Sequence, residues 1–261
     1  MIYEVKDDKL IFNVSKGKTN YCQREAKFTW QHPKNPSIKM DGHSMCNTVS
    51  IVMALDYAGW HFPTGPFEQP EDNLTHFMFN DARVMEHYRK TMPAMAAAFD
   101  RGDNGAMAPN LIHATLAHAA NLWLESSTAV QFSDRRPISD IIREVVMFNR
   151  PVVMSGRFPF TWANGTRGHL GHINVLVGVI YDIANIDPKA LFTSNGINNL
   201  MSTTPEAFIF DDPYGDWNQN FKRGTGNDCV APFAQFTELW RPERDVMIKW
   251  GHFVKPGAAI V

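Results

Sequence analysis

The chain has 261 residues, 44% of them hydrophobic and 20% charged, with a formal net charge of −2. That is enough chain for one large domain or two small ones, and it lacks the basic excess of a nucleic-acid binder. Its three cysteines, Cys22, Cys46 and Cys229, are too few and too scattered for a disulfide scaffold, and the absence of a Cys-x-x-Cys pair argues against a structural zinc knuckle.

Seven Trp and eighteen Phe call for a large core or an aromatic-lined groove. Met1–Lys9 carries early acids and no apolar run, which is not the pattern of a signal peptide. No stretch approaches the roughly 20 apolar residues of a membrane span, so the expectation is a chain made in the cytoplasm with no membrane insertion.

In chain order, Leu10–Val14 reads as a short strand and Gly17–Asn20 as a turn. Tyr21–Glu25 follows, then a Pro-rich polar loop from Gln31 to Gly42. Cys46–Gly59 reads as a helix, with Val49, Val52, Met53 and Ala54 on one buried face and Gly59 as its stop. Trp60–Asn73 reads as surface loop with solvated acids. Leu74–Arg101 is helical in pattern and broken at Pro93, and Gly102–Gly105 is a turn. Pro109–Leu124 and the segment opened by Pro137–Asp140 are helical, the latter ending at Asn149-Arg150-Pro151.

The character then changes. Val152–Ser155 is β-prone, Gly165–Gly171 reads as a glycine-rich loop, and Ile173–Tyr181 is the apolar run of a strand covered on both faces. Ala207–Phe210 reads as a further strand and Val246–Trp250 as the last. Helices dominate from about 40 to 150 and strands from about 151 to 255, an α+β order within one domain spanning 1–261.

Cys46 would stand at a helix N-terminus, where backbone N–H groups favour a thiolate, the nucleophilic form of cysteine. Read blandly, it is a small buried hydrophobe. His172 lies between Gly171 and an apolar strand, and Asp211-Asp212 closes the next β-run. Nucleophile, base and orienting carboxylate in that order make a workable hydrolytic set. His169 and His172 also admit a metal-pair reading, although no Glu sits between them as in a zincin. His113 and His118, five apart, fall on different faces of one helix and read as satisfied core or surface residues. Cys22 and Cys229 read as buried thiols, and Trp162 and Trp217 as cleft-lining or core residues.

Three blocks resemble a known family. Cys46–Gly59 is similar to the nucleophile helix of the papain-fold cysteine peptidases related to the bacteriocin-leader peptidases, in particular short versions from phages and bacteria. Arg150–Val153 with Gly171–Gly178 is similar to that family's Gly-His strand, and Phe208–Gly215 to its Asp-Pro-Tyr-Gly block. The resemblance implies a papain-like fold with a helical N-terminal half on a mainly antiparallel sheet. It implies Cys46 as nucleophile, His172 as general base and Asp212 as orienter, with Asp211 the alternative. Tyr21–Glu25 looks like the family's Gln-Arg-Asp segment, which assigns Gln23 to the oxyanion hole; Gln31, nearer to Cys46, is the alternative.

The resulting expectation is a cysteine hydrolase of peptide bonds with no cofactor and no metal. Its substrate would be a protein or the stem peptide of bacterial peptidoglycan, reached by release during phage lysis or by carriage in a virion. A zinc-dependent amidase and an inactive papain-fold peptide-binding module are the competing readings.

Overall fold

The structure, a computed structural model, describes residues 3–18, 20–242, 247–249 and 251–257. In chain order the strands and helices are β1 (Glu4–Lys6), β2 (Lys9–Asn13), β3 (Trp30–His32), β4 (Asn35–Met40), α1 (Cys46–Tyr57), α2 (Pro70–Asn80), α3 (Ala82–Thr91), α4 (Pro93–Arg101) and α5 (His113–Trp123). They continue with β5 (Val130–Ser133), β6 (Arg136–Pro137), α6 (Ile138–Phe148), β7 (Val152–Thr161), β8 (Arg167–Asp182), α7 (Ser194–Ser202), β9 (Ala207–Asp211), β10 (Cys229–Pro232), α8 (Phe233–Leu239), β11 (Met247–Ile248) and β12 (Gly251–Val254). The result is a mixed α/β architecture around an eight-stranded sheet in the order β1-β2-β8-β7-β12-β5, with β9 on β8 and β10 on β9. Every pairing described in that sheet is antiparallel.

The apolar run in β8 has the expected place. β9 pairs with its residues 175–180, while β7 and β2 pair with it in succession. Helix α1 packs across β8, against β7 and β12, and against α2. It differs from a helix with one buried face: every residue from Asn47 to Leu55 is buried. The run Val49–Leu55, apolar except for Ser50, is the reason, since a helix apolar nearly all round belongs inside. Its polar exceptions are bonded locally, with Thr48 Oγ1 donating to the Met45 carbonyl and Thr75 Oγ1 to Thr48 Oγ1. Gly59, at φ +83, ends the helix, and Lys18 Nζ donates to the last carbonyls, Asp56 O and Tyr57 O. A cation there meets the negative end of the helix dipole.

Several expectations need correction. The Gln31–Gly42 segment is not a loop: β3 and β4 form a hairpin, and Trp30 stacks on Phe99. Its prolines occupy the turn and a two-stranded sheet, where a missing N–H is tolerated. The acids before Asn73 are not all solvated. Pro70 opens α2, and Glu71 and Asp72 lie buried in its first turn. Asp72 accepts from the backbone N–H groups of Lys27 and Phe28. Burial pushes the Glu71 carboxyl up to about 7.

The glycine-rich loop shrinks to 162–166. Residues 167–171 are strand, because ten registered pairs between β7 and β8 outweigh the weak β-propensity of Gly168 and Gly171. Of the expected last strand, Met247–Ile248 pairs with β6, while Val246 and Trp250 lie outside the described residues, as does Thr19 of the first turn. The closing strand of the main sheet is β12. Cys229 is buried, but Cys22 is half-buried. No helix among the described residues is long and apolar enough to cross a membrane.

The expected pair on α5 divides. His118 stacks on His87, while His113 Nδ1 lies 3.3 Å from Nε2 of His252, a fully buried residue of β12. Burial lowers His113 to about 4, and burial together with His113 lowers His252 well below the ordinary 6.5. The unfolded chain therefore takes up protons as pH falls through 6.5, and the folded chain does not until about 4. Stability is lost across that window. Urea unfolding at pH 7 and pH 5 should show His113→Asn losing about 1 kcal/mol less than the parent between the two pH values. Equal losses would contradict the burial argument.

Candidate active site

Asp41 builds the approach to α1. Its carboxylate accepts from His43 N–H while Ser44 Oγ accepts from Asp41 N–H, closing a tight turn over Gly42–Ser44. The chain then enters α1 with Cys46 as the first helical residue. The N–H groups of that first turn have no intrahelical acceptor, and they carry the positive end of the helix dipole. Asn47 takes one, accepting from Thr48 N–H, and its own amide donates to the Asn110 carbonyl.

Gln23 reaches this corner through a close backbone approach. A Cβ on Gly42 would collide with the Gln23 carbonyl, so only glycine fits there. The Gln23 side chain is 1% exposed, and its Nε2 donates to the Gly42 carbonyl at 2.9 Å. Its backbone N–H donates to the Pro213 carbonyl, also at 2.9 Å. Gln23 is thus tied both to the turn before Cys46 and to the residue after Asp212. An amide nitrogen has two protons, so one remains for a ligand.

His172 stands on β8 opposite Gly156 of β7 and is 2% exposed. Phe158, Phe221 and Tyr214 surround its ring, with centroids 6.0, 5.4 and 6.0 Å away. One turn below Cys46 on α1, Ser50 Oγ donates 3.1 Å to the carbonyl of Ile173, the neighbour of His172. Residues four apart share a helix face, so this bond fixes the Cys46 face of the helix against the His172 strand.

Asp212 completes the set. Its Oδ1 lies 2.7 Å from His172 Nε2 and accepts from the N–H groups of Tyr214 (2.8 Å) and Gly215 (3.2 Å). The Asp212 N–H donates to Gly226 O at 2.7 Å, and a Cβ on Gly226 would collide with the Asp212 carbonyl. Asp211 does not join them. Successive strand residues face opposite sides. Asp211 instead accepts from Tyr57 Oη and Asp228 N–H, both at 2.8 Å, and burial raises its carboxyl to about 6.

Cys46 and His172 line the same groove, near enough for Cys46 to act on the imidazole. Because Asp212 occupies Nε2, Nδ1 is the ring nitrogen left for a further partner. Burial alone would depress His172. The charge and hydrogen bond of Asp212 outweigh it, Cys46 adds to them, and the imidazole is raised to about 10. The carboxylate thus favours the protonated ring, the form of imidazole that activates a neighbouring thiol.

Gln23, Cys46 and His172 open onto a groove of about 350 Å³, walled by His43 and Tyr214 and by Phe160, Trp162 and Leu170 of the β7–β8 hairpin. The structure thus brings together four expected residues, Cys46, His172, Asp212 and Gln23. It leaves out Asp211 and also Gln31, an exposed residue of β3 whose amide donates to Pro36 O. His169 is exposed and, three residues from His172 on a strand, faces the opposite side. The two rings cannot share one ion. Among the described residues no group of three or more His, Cys, Asp or Glu could hold a metal.

Sequence reading missed Ser50 and His43. Ser50 sits four residues after Cys46, a spacing that could have been noticed. His43 Nδ1 lies 3.1 Å from Tyr214 Oη, a bridge with no sequence signal. No protein-family model matches the chain, and no curated protein does.

Iodoacetamide should alkylate Cys46 at pH 6 much faster than free cysteine. Asp212→Asn should slow that reaction about tenfold by removing the charge that keeps His172 protonated. Ser50→Ala should slow it less, with Ser50→Thr restoring the rate. A parent rate equal to that of free cysteine would contradict the ion pair.

Proposed function

We propose that the protein is a papain-like cysteine hydrolase of amide bonds in peptides. The observation that carries this reading is that Cys46 and His172 line one open groove, with His172 Nε2 2.7 Å from the buried Asp212 Oδ1. In the proposed reaction the Cys46 thiolate attacks the substrate carbonyl carbon and forms a C–S bond. The oxygen gains negative charge and accepts from the Gln23 amide and the Cys46 N–H, each donor contributing about 3 kcal/mol. The C–N bond breaks, and His172 gives its Nδ1 proton to the departing amine. Water then attacks the thioester, His172 takes its proton, and the C–S bond breaks to release the acid.

Asp212 holds the ring orientation throughout and offsets its charge. Its two bonds from backbone N–H groups hold the carboxylate in place. A lytic role on cell-wall stem peptides, after release during phage lysis or from a virion, is a narrower version of the same proposal. The inactive binding-module reading gains nothing from the site, since all three groups are present and Asp212 is bonded to His172.

Incubation with casein and with purified murein tests the reading. Cys46→Ala should abolish cleavage of whichever substrate the parent cuts. Gln23→Ala should lower kcat about 10²- to 10³-fold with a smaller change in KM. A metal chelator should leave the parent active. Cleavage that survives Cys46→Ala, or that a chelator removes, would overturn the proposal.

A further inference from the structure

The groove is one-sided. On β8, His172, Leu170 and Gly168 face the same way, and on β7 their partners are Gly156, Phe158 and Phe160. At about 3.4 Å per residue, that row extends about 13 Å from His172, the length of about four residues of extended peptide. Gly168 presents no side chain, and a Cβ there would sit 3.4 Å from the indole nitrogen of Trp162. The gap leaves one face of the tip open to the indole.

Trp162 is 47% exposed and packs edge-on against Phe160, with ring centroids 4.6 Å apart. Phe160 in turn meets Phe221, which contacts His172. An unbroken aromatic chain thus leads from the catalytic imidazole to the hairpin tip.

The wall is also held in place. Thr161 N–H donates to Asn220 Oδ1 at 2.9 Å, and the Asn220 amide donates back to Thr161 O. The tip closes through Trp162 N–H to Thr166 O and Gly165 N–H to Trp162 O. Beyond the reacting pair the surface offers little charge: the described residues that line the groove include no Asp, Glu, Lys or Arg. Arg24 lies over the Tyr214 ring, and its guanidinium donates to the Phe221 carbonyl. A single exposed aromatic needs no explanation, but a braced, uncharged aromatic wall continuous with the reacting groups does.

We infer that this wall selects peptide substrates with a large apolar or aromatic side chain within about four residues of the scissile bond, and that Trp162 is the specificity-determining residue. The inference rests on the cysteine-hydrolase reading for its scissile bond, but the wall's preference can be measured without turnover. Charged side chains would lose hydration there and find no partner.

The test uses binding to the full-length Cys46→Ala protein. Capped hexapeptides that differ at one position, Phe, Leu, Ala or Asp, are titrated by calorimetry, alongside a soluble murein stem peptide and an oligosaccharide of its glycan. The Phe and Leu peptides should bind at least about tenfold more tightly than the Ala and Asp peptides. Adding Trp162→Ala should cut that ratio to about threefold or less, while the thermal midpoint stays unchanged. Equal binding of all the peptides, a preference for the Asp or stem peptide, or tightest binding of the oligosaccharide would overturn the inference. So would a ratio untouched by Trp162→Ala. Parent turnover of casein is read separately: its absence counts against the hydrolase reading and leaves the binding result to judge the wall.

Discussion

A buried imidazole paired with a buried carboxylate is the constraint on which the rest of this structure depends. Burial alone would strip His172 of its proton. The Asp212 carboxylate, 2.7 Å from Nε2 and itself fixed by two backbone N–H groups, reverses that tendency. Leaving either charge buried without the other would cost several kcal/mol, so the two are bound to stand or fall together. With Nε2 held by Asp212, the second ring nitrogen is left to act on the groove that Cys46 also lines.

The fold serves to hold that contact from both banks of the groove. Cys46 comes from a helix buried on all sides and the imidazole from a central strand, so neither can shift without disturbing the core. Ser50 ties the helix to the strand next to His172. Gln23 ties the turn before Cys46 to the residue after Asp212. Gly42 and Gly226 admit the two close backbone approaches this requires. These tethers are mostly side chain to backbone, so they fix relative position without adding charge to the groove.

Much of this was legible in the sequence, for reasons that differ by residue. The helix after Cys46 announced itself by apolar residues recurring at three- and four-residue steps, although that one-faced pattern hid the fact that all faces are buried. The β8 strand was legible from its continuous apolar stretch, but its first five residues were not, because Arg167–Gly171 has loop-like composition and gains its strand character only from the β7 ladder. Asp211 and Asp212 could not be separated by composition. Adjacent strand residues face opposite sides, and only the fold decides which side carries the imidazole. Glu71 and Asp72 read as solvated because a sequence shows charge but not the Lys27 and Phe28 N–H groups that Asp72 meets. The short strands β5 and β12 pair with each other from far apart in the chain, so local pattern had little to report of either.

The most direct measurement of the central claim is the protonation of His172 itself, followed by NMR of ¹⁵N-labelled imidazole across pH 5 to 10. The account predicts a ring that stays doubly protonated well above pH 7 in the parent and titrates lower in Asp212→Asn and in Cys46→Ala. A ring that loses its proton at or below pH 6.5 in the parent would show that Asp212 does not overcome burial, and would contradict the account.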